Sequence, residues 1–225
     1  MERLESLVSE TIKGSIEKIS GIDSGEAEKV CKAYMDKKYD LAKRLFTKAF
    51  GNNDSEKVSE SADYMKHPDQ VAMELIGAAI YSIKDGCLVS GIIIGTRSWP
   101  EIVYKDKTDQ VKHYTQEPGK LYVYRGRRGV TFAITAHEGK TVNKPGKNQG
   151  VVSLVEVASD EEKILAQKLP AFFGIGDELD SRYVNTAESG IYVVKVPLVL
   201  RNKGFTVKEV SPKDADKWSR EYRLG

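Results

Sequence analysis

Residues 118–150 read PGKLYVYRGRRGVTFAITAHEGKTVNKPGKNQG. Two runs in this stretch, 121–124 and 130–135, alternate around the link RGRRG. Alternation with period two marks a half-buried strand, and a short glycine-flanked link between two such runs makes a β-hairpin. Successive strand side chains point to opposite faces, so Leu121 and Val123 share one face and Tyr122 and Tyr124 the other. The same stretch holds seven basic residues, Lys120, Arg125, Arg127, Arg128, Lys140, Lys144 and Lys147, against one acid, Glu138.

Outward from the hairpin, the period of two continues. Residues 102–104 and 111–114 flank KDKTDQ, 151–157 make a further strand, and 191–200 and 205–210 pair around RNKG. CLVSGIII at 87–94 is a continuous apolar run after Asp85-Gly86 and reads as a buried strand. Ser159 with Glu162 predicts a capping box for a short helix, DEEKILAQKL, stopped by Pro170. Ser211-Pro212 predicts a last helix to about residue 223.

Before residue 86 the period is helical. Leu4, Leu7, Val8, Ile12, Ile16 and Ile19 lie on one stripe, and a second stripe runs from Ala27 to Ala49. The short connection between them predicts an antiparallel helical hairpin. Pro68 opens a third expected helix, DQVAMELIGAAIYSIK, over 69–84. The expected fold is therefore α+β: an N-terminal helical subdomain, 1–85, packed on a mostly antiparallel β-sheet body, 86–225, with short C-terminal helices.

Composition narrows the function classes. The net charge is +2 over 225 residues, but it is uneven. Residues 1–85 carry 13 basic and 16 acidic residues, 86–157 carry 11 and 6, and 158–225 carry 11 and 11. The positive excess sits in the middle third. Cys31 and Cys87 belong to no CxxC pair, which argues against a disulfide framework and a zinc ribbon. MERLESLVSETIKG lacks a basic start followed by an apolar run, so no secretory signal is expected. Glu74, Lys84 and Asp85 interrupt the most apolar stretch, 71–96, so no membrane span is expected either. A cytoplasmic location follows, or the interior of a viral particle if the chain assembles.

The candidate site is the hairpin and the lysine-rich loop after it. Arg125, Arg127 and Arg128 suit phosphate by fork geometry and weak hydration. Tyr122 and Tyr124 could stack on bases. Lys120, Lys140, Lys144 and Lys147 extend the positive surface. The bland alternative is a solvated tip whose charges protect a sheet edge. The segment is no RNA recognition motif, whose two signature strands are separated by a helix. Gly139-Lys140-Thr141 lacks the first glycine of a phosphate loop, since position 134 is Ile134.

Glu138 and Lys140 resemble the acid and lysine of a metal-dependent nuclease, with Asp106 or Asp109 as a second carboxylate. Three histidines, His67, His113 and His137, show no ligand spacing. The acidic loop at 177–180, DELD, reads as solvated or as a contact for a basic patch on another copy. Trp99, Phe172 and Phe173 read as core plugs or interface anchors.

The expectation is a non-enzymatic nucleic-acid or polyanion binder, needing no cofactor and no metal, and forming a homo-oligomer. The competing expectation is a self-assembling, coat-like subunit. A metal-dependent nuclease comes third.

Overall fold

The computed structural model describes residues 63–84, 87–99, 117–126, 129–137, 149–159, 162–185, 189–194, 206–210 and 219–225, together with Lys29. The expected helical hairpin before residue 51 and the strands at 102–104 and 111–114 lie outside the described residues.

What is described is mostly antiparallel sheet with few helices. The elements are α1 (Pro68–Leu75), β1 (Ala79–Lys84), β2 (Cys87–Trp99), β3 (Leu121–Gly126), β4 (Gly129–His137), β5 (Gln149–Ala158), β6 (Lys163–Leu165), α2 (Leu169–Phe173), β7 (Ile191–Val194), β8 (Val207–Val210) and β9 (Arg220–Leu224). The sheet runs β3-β4-β5-β2-β1-β7, with β6 added to β5, and β9 and β8 added to β2. Every pairing is antiparallel.

Strand β2 organises this arrangement because it is 13 residues long. Its first half pairs with β1. Its second half takes β9 along the same edge and β5 along the other. The register shifts around Gly95, and such a bulge adds local twist. The sheet curls into a half-barrel.

Both helices pack on one face. Val71, Ala72 and Leu75 of α1 and Leu169 and Phe173 of α2 are buried with Ile80, Ile93, Leu121, Phe132, Ile134, Val152 and Leu154. Each such large side chain contributes about 1.5–3 kcal/mol by leaving water. Phe172 stands edge-on to Phe173, with ring centres 4.9 Å apart, so this pair plugs the core. The Thr96 hydroxyl donates to the Ala72 carbonyl at 2.9 Å and ties α1 to β2.

Several expectations are corrected. The helix over 69–84 ends at Leu75, and residues 79–84 form β1. The chain turns at Gly77, whose φ of 84° lies in the left-handed region that glycine tolerates. Ile80 and Tyr81, on opposite faces of β1, are both fully buried, so the strand shows no alternation to set it apart from a buried helix. Strands β1 and β2 pair from Ala79↔Ile92 to Lys84↔Cys87.

Ser159 and Glu162 do bond to each other, but they close a tight turn. The Glu162 amide donates to the Ser159 hydroxyl at 3.0 Å, and the Ser159 amide donates to the Glu162 carbonyl at 2.9 Å. That turn folds β6 back onto β5. Pro170 opens α2 instead of ending a helix, and Gly174, with φ 66°, caps it. Among the described residues, 191–194 pair with β1 and 207–210 with β9, and the rest of the expected hairpin around RNKG lies outside them. The last helix is also replaced in part, since Arg220–Leu224 is a strand.

One segment closes both outer strands of the sheet path. On β3, the Leu121 amide donates to the Arg182 carbonyl and the Ser181 amide to the Leu121 carbonyl, both at 2.8 Å. The Val123 amide donates to Asp180 Oδ1 at 2.9 Å. On β7, the Asn185 amide donates to the Ile191 carbonyl at 2.7 Å, and the Val193 amide to Asn185 Oδ1 at 2.6 Å. Residues 180–185 thus form a strap that fills the hydrogen-bonding edges a half-barrel would leave open.

Candidate functional site

The expected hairpin forms, and its ladder runs further into RGRRG than the two alternating runs. Strands β3 and β4 pair from Leu121↔Ile134 to Gly126↔Gly129. Only Arg127 and Arg128 separate the last paired residues, and both lie outside the described residues, as do Lys140, Lys144 and Lys147. Glu138, Asp106 and Asp109, the nuclease candidates, lie outside them too.

Strand β4 pairs with β5 only from Ala133 to His137, so the strand pairs from Tyr124↔Thr131 to Gly126↔Gly129 form only within the hairpin. Leu121 and Val123 face the core and are buried. Tyr122 and Tyr124 lie on the other face, half-buried, and stack with ring centres 4.9 Å apart and planes 27° apart. Offset stacking at this spacing is a favourable aromatic geometry. It makes a preformed aromatic step along β3.

The described basic candidates are engaged within the chain. Arg125 donates from Nε to Asp177 Oδ2 at 2.8 Å, and its Nη2 lies 2.7 Å from the same oxygen. This carboxylate holds the Arg125 guanidinium above its ordinary pKa through the hydrogen bond and the charge. Lys120 sits 3.3 Å from Glu117 Oε2 and 4.7 Å above the Tyr183 ring centre. The acidic segment expected to be solvated, or to meet another copy, meets the basic hairpin of its own chain. The complementarity of DELD and RGRRG was visible in the sequence, but the pairing across 52 residues was not.

A second arginine cluster was missed. On the sheet face opposite the helices, Glu221 of β9 accepts from Arg97 Nη2 at 2.6 Å and from Arg223 Nε at 2.8 Å. Arg223 continues to Glu156, whose other oxygen lies 3.5 Å from Lys163. The Glu221 side chain is only 6% exposed. Burial pushes its pKa up, but the hydrogen bonds and charges of Arg97 and Arg223 outweigh burial and hold it below the ordinary carboxylate range. Gly95 makes room for this cluster, since a Cβ there would lie 3.2 Å from Arg223 Cδ. These arginines are committed to the buried carboxylate and staple β2 to β9.

No catalytic arrangement emerges among the described residues. Ser98, Asp69 and His67 lie together, but Ser98 donates directly to Asp69 and the imidazole is not between them. His67 Nδ1 accepts from the Asp69 amide at 3.3 Å as the cap of α1. Asp69 also pairs with Arg220 at 3.1 Å. The group joins the start of α1 to β2 and β9, without the base-to-nucleophile contact that activates a serine. Among the described residues no group of three His, Cys, Asp or Glu could hold a metal ion. No helix among them is long and apolar enough to cross a membrane.

No protein-family model matches the sequence, and no curated protein matches it.

Proposed function

We propose that the chain binds a polyanion, nucleic acid foremost, through the β3–β4 hairpin and the lysine-rich segment 139–150, without catalysing a reaction. The observation that supports this reading is the β3–β4 hairpin, which carries Tyr122 and Tyr124 as a stacked pair on the strand that leads into Arg125. Backbone phosphates would meet Arg125, Arg127 and Arg128, with Lys120, Lys140, Lys144 and Lys147 adding positive charge. Bases would stack on the tyrosine step.

The sheet edges favour binding over edge-to-edge assembly. Strands β3 and β7 are closed by residues 180–185. Strand β8 is paired only with β9 among the described residues. Thr206 and Gly225 exchange hydrogen bonds, so Val207 and Glu209 turn their backbone groups outward. A second copy added antiparallel about a two-fold, in the fully overlapping register, would set Lys208 against the same lysine. Like charges directly opposite are destabilising, so this edge resists self-pairing.

Fluorescence anisotropy with a labelled oligothymidylate and with a labelled duplex tests the proposal. Affinity is expected to fall steeply between about 50 and 200 mM salt. The Arg125/Arg127/Arg128→Ala variant is expected to lose affinity and to flatten the salt slope. Absence of binding at low salt, or no change in that variant, overturns it.

A further inference from the structure

We infer that the acidic segment at 177–180 is a built-in competitor for the polyanion: Asp177 occupies the anion position of Arg125 and must release it when a phosphate binds. This rests on the polyanion-binding reading and assigns that site its regulation.

Three observations carry it. First, Asp177 Oδ2 takes both Nε and Nη2 of Arg125 at 2.8 and 2.7 Å, the distances at which a phosphate oxygen would sit. The donors a phosphate would use are therefore occupied in the unliganded chain. Second, the carboxylate is presented by the fold. Asp177 begins the 3-10 turn Asp177–Leu179, and Asp180 at its end is fixed to the Val123 amide. The Ser181 amide then holds the segment to Leu121. The acid stays beside the hairpin whether or not Arg125 is engaged.

Third, the pair is exposed, 72% for Arg125 and 55% for Asp177. Ion pairs in water are weak and salt-screened, so an incoming phosphate can displace this one. The buried Glu221 cluster offers no such exchange, because it is closed to solvent on the carboxylate side. The segment therefore sets a threshold: a single weak anion does not outcompete a tethered carboxylate, whereas a polyanion that also engages the rest of the tip does.

Anisotropy titrations of the full chain with labelled oligothymidylate decide this. Asp177→Asn keeps the shape and removes the competing charge. It is expected to bind about two- to five-fold tighter, with a salt slope steeper by about 0.7. Arg125→Ala is expected to bind more weakly, and Arg125→Ala with Asp177→Asn to match Arg125→Ala alone, because the competitor then has nothing to block. Glu178→Gln removes a neighbouring charge without touching the pair and is expected to change affinity less. Urea midpoints close to that of the parent chain confirm that the variants fold.

Unchanged or weaker binding by Asp177→Asn, alongside weakened Arg125→Ala, overturns the inference and leaves the binding reading intact. A Glu178→Gln effect equal to that of Asp177→Asn also overturns it, since bulk charge would then explain both. If the parent chain binds no oligonucleotide at low salt, the binding reading itself fails and the inference with it.

Discussion

Arg97 and Arg223 on one side of the molecule, and Arg125 on another, all hold carboxylates at similar distances. Their surroundings differ. Glu221 is almost fully enclosed, and its two arginines cannot leave it without stranding a buried charge. Asp177 is more than half exposed, and water can replace Arg125 at little cost. Equal contacts therefore mean different things: the first cluster fastens β9 to β2, and the second leaves an arginine available for exchange. Burial, more than distance, separates a structural arginine from a recognition arginine.

The largest expected effect would break this contrast if it failed. Glu221→Gln removes the buried charge that both Arg97 and Arg223 need, and it is expected to cost about 3 kcal/mol in urea unfolding. Asp177→Asn is expected to leave the urea midpoint unchanged. Similar losses for both would mean that burial does not set the difference.

The pH dependence sharpens the same contrast. Glu221 has a folded pKa below its unfolded value, so the unfolded chain binds its proton more readily. Its contribution is fully present above the unfolded carboxyl value of about 4.3. It is lost as pH falls through the lower, folded value. Urea midpoints measured from neutral pH downward should drop more steeply below that point in the parent chain than in Glu221→Gln. Parallel acid limbs would show that the carboxylate is not stabilised by its arginines.

A smaller effect is expected where the strap closes the sheet. Asn185→Ala removes the acceptor for the Val193 amide and places alanine at a φ of 64°. The expected loss is about 1–2 kcal/mol in urea unfolding. Asp180→Ala, which strands the Val123 amide, is expected to cost about 1 kcal/mol and to loosen the segment that presents Asp177. Amide exchange at Val123 and Val193 should quicken in the respective variants. Unchanged exchange would mean that the two edges are not held by this strap.

The parts of the fold legible in the sequence were those with one wet face. The β3–β4 hairpin alternates because Tyr122 and Tyr124 look outward while Leu121 and Val123 look inward. Strand β1 is dry on both faces, so its pattern resembled the tail of α1. Strand β9 hid for a related reason. Glu221 and Tyr222 point to opposite faces and both are buried, since the arginines make a charged residue tolerable inside. At the site, the basic residues were legible as composition. The partner of Arg125 was not, because Asp177 reaches it through the fold from 52 residues away.

Lys120 gives the smallest and most discriminating test. It lies between the two cases, with a side chain 23% exposed, one acid at 3.3 Å and an aromatic ring at 4.7 Å. Glu117 is itself exposed, so the ion pair is weak, and the cation–ring contact at such a site is worth about 0.5–1 kcal/mol. Lys120→Gln should therefore barely move the urea midpoint. If Lys120 behaves like Arg125, the variant should bind oligothymidylate more weakly, with a salt slope flatter by about 0.7, the loss of a single phosphate contact. If it behaves like Arg97, slope and affinity should stay where they are. Either result fixes the inner limit of the recognition surface, because Lys120 immediately precedes β3 and its charge is partly taken up by Glu117 and the Tyr183 ring.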